Sequence, residues 1–410
     1  MATHRFLHIG DTHLHADHRQ GDRLAALDQI IAYGEQQSDL AAWLWPGDLF
    51  HARSTADDRN AIASRLRRMN ALAPVVICYG NHDAPGDLDL FAHLAGRWPV
   101  IVQPQPHVLR LRIPTGAMAS IFILPYPHRA GLVSAGTASA DLVSAGQRAL
   151  DAIFLDGAAR LRVAESEGDL TLMIGHVNVG GSLSSVGQPQ IGREIELEPA
   201  LLARLGDIPK ALSHIHKHQQ IHDAVYAGSI TRMDFGEQED KGFVEWVYDT
   251  VIPPDRSSWC WRFVPLITPQ QFHVEGTLDR EYFEITRVNG APADQRPEWN
   301  GADVRVKYTY KKAEISTLDT AKILVEFAGC RSLKLEGIPV LEAQVRAPEV
   351  VAAVTLADKT EAFCRRAGLA WTPSLADKVD QIQADDADRL IRAWTAEPPV
   401  TVAAPESAVA

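Results

Sequence analysis

Short apolar runs alternate with amphipathic patterns in the first part of the chain, and each apolar run ends abruptly in polar residues. Residues 6–9, 40–45 and 75–79 are predicted strands, whereas residues 23–36 and 57–72 carry apolar side chains at helical spacing. Strand, polar turn and helix follow one another in this order, which predicts an α/β fold. At the carboxyl ends of such strands, polar residues face the crevice where ligands bind.

The alternation continues less regularly after residue 83. Predicted strands lie at residues 120–124, 170–174, 225–229, 243–248 and 259–266, and the last two form a predicted hairpin that closes the first domain. The other predicted elements of this part are helices at residues 147–159 and 197–205 and loops at residues 131–140 and 180–192.

The character of the sequence changes around residues 269–276. Strands at residues 303–310 and 332–335, with a helix at residues 318–328 between them, predict a small strand–helix–strand unit. Two predicted helices follow at residues 356–367 and 373–394, and Gly368 is a stop signal for the first. The predicted divisions are a first domain, a small α/β domain, a C-terminal helical pair and a disordered tail, at residues 1–270, 271–345, 346–395 and 396–410.

Length and composition narrow the class of protein. A chain of 410 residues exceeds the size at which one core keeps growing, so more than one domain is expected. No run approaches the roughly eighteen apolar residues of a membrane span, and the amino terminus leads into a strand without room for a signal peptide. The four cysteines form no CxxC pair, which favours a cytoplasmic protein with reduced thiols and no membrane partner.

Charge and histidine content point towards metal chemistry. The formal net charge of −12 argues against a protein that coats nucleic acid non-specifically. Sixteen histidines are many for this length, and several stand beside Asp, Asn or Gly directly after apolar runs. Bound divalent cations would offset part of the acidic charge locally.

The polar residues that end the predicted strands form a set of metal donors. Asp11 and His13, like His214 and His216, are two residues apart, so in extended backbone each pair faces the same side. The complete set is Asp11, His13, Asp48, His51, Asn81, His82, His176, His214 and His216. It combines imidazole, carboxylate and amide donors without thiolate, which suits manganese, iron or zinc.

Seven of these residues are too many for one tetrahedral ion. They are Asp11, His13, Asp48, Asn81, His176, His214 and His216. Two ions fit if one carboxylate bridges them, and Asp48 is the natural bridge because its strand lies between two other ligand-bearing strands. Two ions about 3.5–4 Å apart stabilise both the attacking and the leaving oxygen of a phosphoryl displacement. The predicted chemistry is phosphoester hydrolysis.

The motifs resemble those of a known family. The calcineurin-like metallophosphoesterases carry five motifs in the same order, here Asp11-x-His13, Gly47-Asp48-x2-His51, Gly80-Asn81-His82-Asp83, Gly175-His176 and His214-x-His216. A finer similarity, to the SbcD nuclease subfamily, rests on Gly47-Asp48-Leu49-Phe50-His51, Gly175-His176-Val177-Asn178, Tyr226-Ala227-Gly228-Ser229, Asp234-Phe235-Gly236-Glu237 and Lys241-Gly242-Phe243. These motifs extend to about residue 245. The resemblance implies a four-layer αββα sandwich with a small α/β capping domain and C-terminal helices.

The resemblance also implies roles for the residues. One manganese ion would be held by Asp11, His13, Asp48 and His216, and the other by Asp48, Asn81, His176 and His214; Mg²⁺ or another divalent ion is an alternative. His82 would be a catalytic histidine that is not a metal ligand, and it would either protonate the leaving 3′ oxygen or stabilise charge on the phosphate. His51 would contact the phosphate. Asp83 is expected to orient His82. Ser213 departs from the family, which usually has Gly before the His-x-His pair.

The implied partners are DNA and an SbcC-type coiled-coil ATPase, with the protein a homodimer within a heterotetramer. In the family the capping domain lies over the active site, so Lys307, Lys311 and Lys312 are candidates for contact with the DNA backbone. The C-terminal helices either dock on the ATPase or pack on their own domain. His15, His18, His218 and His222 lack partners at ligand spacing and are expected at the surface or behind the ligands.

The most economical hypothesis is a two-metal DNA nuclease that processes double-strand-break ends as part of an ATP-dependent complex, by exonuclease or endonuclease action. A phosphoesterase of the same fold that acts on a small nucleotide or a phosphoprotein is the first alternative. The second is a non-catalytic subunit that tethers DNA ends. A non-catalytic subunit is expected to have lost some of its metal-binding residues, whereas the sequence retains all seven.

Overall fold

The computed structural model describes residues 3–17, 19–128, 142–188, 195–251, 258–294, 297–340 and 347–384. The chain divides into two compact units, residues 1–338 and 339–410, each of which is described by itself. The predicted loop at 131–140, the last part of the predicted loop at 180–192, the end of the predicted helix at 373–394 and the predicted tail at 396–410 lie outside the described residues.

The strands and helices are numbered in chain order. The strands are β1 (Thr3–His8), β2 (Leu40–Pro46), β3 (Val75–Cys78), β4 (Val100–Gln103), β5 (His107–Arg112), β6 (Met118–Leu124), β7 (Leu170–His176), β8 (Asn178–Val179), β9 (Glu196–Leu197), β10 (Lys210–Ser213), β11 (Gln219–Ile221), β12 (Ala224–Tyr226), β13 (Gly242–Asp249), β14 (Trp259–Pro265), β15 (Gln271–Leu278), β16 (Phe283–Val288), β17 (Ala291–Pro292), β18 (Asp303–Lys311) and β19 (Ser332–Val340). The helices are α1 (Gln20–Glu35), α2 (Ala56–Leu72), α3 (Leu142–Ser166), α4 (Pro199–Ala203), α5 (Ala321–Glu326), α6 (Pro348–Ala352), α7 (Leu356–Ala367) and α8 (Pro373–Ala384).

A first sheet has the order β14-β13-β1-β2-β3-β4, and β1 to β4 are parallel. Its central strands β2 and β3 are buried on both faces, which explains why they are apolar without interruption. In β2, Trp43 and Trp45 face the core beneath α1 and α2, whereas Leu44 faces a second core. The alternation of side chains thus supplies two cores from one strand.

A second sheet has the order β11-β12-β10-β7-β6-β5. The second core lies between the two sheets and combines Val76 and Val244 of the first with Ile121 and Leu172 of the second. On its other face the second sheet packs against α3 and α4 through residues such as Phe154. The layers are therefore helix, sheet, sheet and helix, which confirms the predicted αββα sandwich.

The helix predicted at residues 197–205 is shorter than expected. Residues 196–197 pair with β8 as strand β9, and α4 begins only at Pro199, which is favoured at the first helical position. In contrast, α3 is longer than its prediction, because its apolar pattern continues to a buried Ala164.

A third sheet has the order β17-β16-β15-β18-β19 and belongs to the same compact unit as the first two. Its core includes Val274, Val304, Val306, Ile323 and Phe327. The strands predicted at residues 303–310 and 332–335 and the helix between them are confirmed as β18, β19 and α5, but β15 and β16, which were not predicted, belong to the same sheet. In these strands, polar side chains such as Glu275 and Arg287 stand between the buried apolar side chains. The strands therefore lack the continuous apolar run that would have predicted them.

The second unit contains α6, α7 and α8. Thr355 caps α7 through a reciprocal pair of hydrogen bonds with Asp358. Gly368 ends α7 in a left-handed conformation with φ of 69°, as its stop signal predicts. Across the described part of the chain, no helix combines the length and apolarity needed to cross a membrane.

Candidate metal centre

The carboxyl ends of strands from both sheets meet at one cleft. Asp11, Asp48 and Asn81 follow β1, β2 and β3 of the first sheet, whereas His176 ends β7 and His214 follows β10 of the second. The cleft has a volume of about 310 Å³ and is lined by His13, Asp17, Arg19, Arg23, Asp48, His51, Asn81, His82, Gln188, His214, His216, Met233 and Asp234.

The loops at these strand ends adopt unusual backbone conformations. His13, Asp48 and His214 have positive φ angles of 46°, 50° and 101°. Such conformations cost of order 1–3 kcal/mol each in non-glycine residues, and they concentrate at functional sites. A Cβ on Gly80 would lie 2.1 Å from Oδ1 of Asp48, so Gly80 is required for the close approach of two loops.

The Asp48 carboxylate lies between two groups of potential ligands. Its Oδ2 is 3.5 Å from Nε2 of His13 and 3.2 Å from Nε2 of His176. On the His13 side, Nε2 of His216 is 3.0 Å from Nε2 of His13. On the His176 side, Oδ1 of Asn81 is 2.9 Å from Nε2 of His176 and 3.0 Å from Nδ1 of His214. The Asp48 carboxylate thus lies between His13 and His216 on one side and Asn81, His176 and His214 on the other.

Asp11 is placed behind both groups. Its carboxylate accepts a hydrogen bond from the backbone N–H of His214 at 3.0 Å. Donor atoms of Asp11, His13 and His216 lie within 4.8 Å of one another, as do those of Asp11, Asp48 and His176. The seven predicted ligands therefore form one cluster, in which Asp11 and His176 are buried behind the residues that line the cleft.

The contacts of His176 test whether the site fits a cation. Its Nδ1 donates to the backbone carbonyl of Pro46 at 2.8 Å, so the neutral ring points a lone pair from Nε2 at the oxygens of Asp48 and Asn81. Three acceptors that face one another require a proton or a cation between them. Burial would lower the pKa of His176, but Asp48 and Asp11 raise it to about 9. The residues therefore fit a divalent ion that replaces this proton.

His13, His216 and Asp48 are in the ionisation states that metal binding needs, whereas burial raises the pKa of Asp11. Burial lowers the pKa of His13 well below its usual value and that of His216 to about 3, so both rings are neutral. Burial opposes ionisation of Asp48, but His176 outweighs it and lowers the pKa of this carboxyl. Nδ1 of His13 and Nδ1 of His216 are buried without a hydrogen-bond partner among the described residues. Two neutral imidazoles beside a carboxylate are typical ligands of divalent transition metals.

His82 and His51 lie together at the mouth of the cleft. Their rings stack at a centroid distance of 5.1 Å and an angle of 20°. Nδ1 of His82 donates to the backbone carbonyl of His51 at 2.8 Å, and the backbone N–H of His82 donates to Oδ1 of Asp48 at 2.9 Å. The carbonyl of His51 thus fixes the ring of His82.

The prediction that Asp83 orients His82 is wrong. The buried Asp83 carboxylate instead accepts hydrogen bonds from three backbone N–H groups, those of Asp48 at 2.8 Å, Phe50 at 3.1 Å and Gly80 at 2.9 Å. Asp83 therefore holds the two loops that carry Asp48 and Asn81. Sequence adjacency suggested His82 as its partner, whereas the turn directs its carboxylate towards the backbone.

The three candidate lysines are not among the described residues that line the cleft. Lys307 is in β18 beside Glu275 of β15, and Lys311 and Lys312 are exposed at the end of the same strand. Lys307 shares a strand face with Arg305, whose guanidinium lies 4.9 Å from the ring centre of Phe235.

Two residues that the sequence did not assign hold the His-x-His segment. Nε2 of Gln188 donates to the carbonyl of His214 at 2.6 Å, and its Oε1 accepts from the N–H of His216 at 3.1 Å. Nζ of Lys241 donates to the carbonyl of His216 at 3.2 Å and forms an ion pair with Glu237 at 2.6 Å. Lys241 is part of the Lys241-Gly242-Phe243 motif, which could have indicated a role at the site. Gln188 lies in a Gly- and Ser-rich loop, and no sequence pattern indicates its role.

The four-layer fold and the convergent Asp, Asn and His donors define a metal-dependent phosphoester hydrolase. Residues 4–208 match the calcineurin-like phosphoesterase family, and the chain belongs to that family. The resemblance drawn from the five motifs is thereby confirmed at the level of the family. Members of this family use divalent metal ions, and the donor cluster of this chain is suited to them.

Proposed function

We propose that the protein is a two-metal DNA nuclease, similar to the SbcD subunit of complexes that process double-strand-break ends. The proposal of two metal ions rests on the position of the Asp48 carboxylate. Its Oδ2 lies 3.5 Å from Nε2 of His13 and 3.2 Å from Nε2 of His176. One cation is held by Asp11, His13, Asp48 and His216, and the other by Asp48, Asn81, His176 and His214.

The nuclease part of the proposal is supported by the residues that carry the finer similarity. The N–H of Ser229 donates to the carbonyl of His216 at 3.0 Å, and Lys241 donates to the same oxygen. Glu237 pairs with Lys241, and Phe235 lies against Arg305 of the third sheet. These motif residues thus join the metal centre to the sheet that we assign to DNA contact, where Lys307, Lys311 and Lys312 are the candidates.

When bound, the two cations polarise the phosphate and lower the pKa of a water molecule at the cleft. We assign Mn²⁺ to this role, with Mg²⁺ or another divalent ion as substitutes. His51 holds His82 through its carbonyl, which occupies Nδ1–H. Nε2 of His82 gives a proton to the leaving 3′ oxygen when the ring is in its doubly protonated form. His51 itself contacts the phosphate.

The proposal includes a partner for the second unit. Phe363 and Leu369 expose 55% and 58% of their surfaces at α7, and Val354 just before it exposes 87%. Such an apolar surface is typical of protein contacts, and we assign it to the coiled coil of an SbcC-type ATPase, with the nuclease a homodimer within a heterotetramer. A cytoplasmic location completes the proposal, since Cys78, Cys260, Cys330 and Cys364 are all free thiols.

A comparison of substrates tests the nuclease proposal. The protein is assayed with Mn²⁺ on linear duplex DNA, single-stranded DNA, bis(p-nitrophenyl) phosphate, a cyclic nucleotide and a phosphopeptide. We expect the highest kcat/KM on DNA. Hydrolysis restricted to the small diesters or to the phosphopeptide would support the alternative phosphoesterase instead, and metal binding without any hydrolysis would support the tethering role.

Replacement of His82 by Ala tests the assignment of the proton donor. Because a positioned acid contributes about 10²–10⁴-fold to such a step, we expect DNA cleavage by His82→Ala to fall at least that far, while calorimetry still detects two Mn²⁺ ions. Asp57→Ala, at an exposed position of α2, is the control. Wild-type cleavage by His82→Ala would show that His82 is not the catalytic acid.

A further inference from the structure

Two arginines at the beginning of α1 form one wall of the metal cleft. Arg19 precedes the helix and Arg23 lies in its first turn, and both line the same cleft as Asp48 and His82. Positive side chains are unfavourable at the amino-terminal end of a helix, because the helix dipole favours anions there. A role outside the helix is therefore needed to account for two arginines at this end.

Both guanidinium groups are held in place and retain an unused donor. Arg23 is 3% exposed and donates to both oxygens of Asp17, at 2.7 and 3.2 Å. Arg19 donates to the carbonyls of Arg232 at 3.1 Å and Met233 at 2.8 Å. Nε of each arginine is buried without a hydrogen-bond partner among the described residues. A buried donor without a partner is costly, but Nε of Arg65 and Nε of Arg305 are buried in the same way. Arg19 and Arg23 differ from them because they line the metal cleft, where an acceptor from outside the chain can reach them.

The chemistry of the wall is suited to a phosphate. Arginine presents a planar fork of N–H donors that matches phosphate oxygens, and burial strengthens each such contact. Asp17 and Asp234 line the same cleft, so the wall is close to neutral in the free protein and Asp17 competes for Arg23. The cleft volume of about 310 Å³ is roughly ten times the share of one water molecule in the liquid, so the cleft extends beyond the atoms that the metal ligands surround.

We propose that Arg19 and Arg23 bind a phosphate group that neighbours the scissile one. The preferred substrate is then a chain with consecutive phosphodiesters, and an isolated phosphoester lacks one of its anchors. This inference rests on the proposed nuclease function and specifies how that site selects a polymer. A purely structural role for the two arginines, as ties between α1 and residues 232–233, is the competing explanation.

The test compares one oligonucleotide with one minimal diester. We measure kcat/KM of Arg19→Gln and Arg23→Gln on a short single-stranded oligonucleotide and on bis(p-nitrophenyl) phosphate, with Mn²⁺. We expect kcat/KM on the oligonucleotide, divided by kcat/KM on the diester, to fall about 10-fold, which corresponds to the loss of one charged hydrogen bond. The fall should come from a higher KM for the oligonucleotide. We also expect the dependence of its KM on salt to become less steep by about one unit per arginine.

Two further variants keep the test decisive. Arg65→Gln removes an arginine of α2 that pairs with Asp28 away from the cleft, and it should leave the ratio at the wild-type value. Asp17→Asn frees Arg23 from its competitor, and it should lower KM for the oligonucleotide. If Arg23→Gln fails to fold, Asp17→Asn still tests whether Arg23 binds the oligonucleotide.

The outcomes separate this inference from the function on which it rests. If the wild type cleaves DNA efficiently but Arg19→Gln and Asp17→Asn keep the wild-type ratio and salt dependence, the phosphate anchor is wrong and the nuclease proposal stands. If kcat/KM falls by the same factor on both substrates in Arg19→Gln and Arg23→Gln, the two arginines have the structural role. If the wild type does not favour DNA, the nuclease proposal itself fails.

Discussion

Asp48 has a left-handed backbone conformation, and its carboxylate contacts residues from the ends of three other strands. Oδ2 faces His13 and His176, and Oδ1 accepts from the backbone of His82. The sequence predicted this residue as the bridge because its strand stands between two others that carry ligands. Its φ of 50° and its dependence on Gly80 for space were not predictable, because both arise from contact between loops.

The residue that supports Asp48 gives a prediction for stability. Asp83→Ala leaves the N–H groups of Asp48, Phe50 and Gly80 buried without an acceptor. Since one unsatisfied buried donor costs about 1–3 kcal/mol, we expect the free energy of unfolding to fall by at least about 2 kcal/mol. Urea denaturation of the metal-free protein measures it, with Asp57→Ala expected within about 0.5 kcal/mol of the wild type. An unchanged midpoint for Asp83→Ala would contradict the assigned hydrogen bonds.

At the scale of elements, β1, β2, β3 and β7, with their polar ends, were predictable from the sequence, whereas β4, β5 and β11 were not. Continuous apolar runs such as β2 and β7 are buried on both faces, and this pattern is clear without a structure. In the third sheet, β18 and β19 were predicted as well, but β15 and β16 were not, because polar residues interrupt their apolar pattern. Contacts between distant loops, such as Gln188 to the His-x-His segment, leave no local pattern at all.

Gln188 gives a prediction at this scale. Gln188→Leu removes both hydrogen bonds that hold the backbone of His214 and His216, so these ligands lose part of their fixed geometry. Supporting residues of this kind typically contribute 10–100-fold to metal affinity, and we expect a loss in that range for Mn²⁺, measured by calorimetry. Gln220→Leu, at an exposed position of β11, is the matched control. Equal affinities in the two variants would show that Gln188 does not position the ligands.

At the scale of the whole molecule, burial of histidines links stability to pH. His8 in β1 is fully buried, and burial, together with His218, lowers its pKa from 6.5 to about 3. The unfolded chain therefore binds a proton near pH 6.5 that the folded protein does not accept. Folding stability from this group is complete above pH 6.5 and is lost as the pH falls.

The loss predicted for His8 alone is about 2 kcal/mol between pH 7 and pH 5. Urea midpoints at these two values, measured with a chelator present, should differ less in His8→Leu than in the wild type. If the two proteins show the same pH dependence, burial of His8 is not a source of acid sensitivity.

The proposed function requires two cations where the carboxyl ends of the two large sheets meet. Anomalous diffraction at the manganese edge, from crystals of the protein grown with Mn²⁺, locates such ions directly. We predict two peaks about 3.5–4 Å apart, on either side of the Asp48 carboxylate, one beside His13 and His216 and the other beside His176 and His214. A single peak, or two peaks that Asp48 does not bridge, would contradict the account.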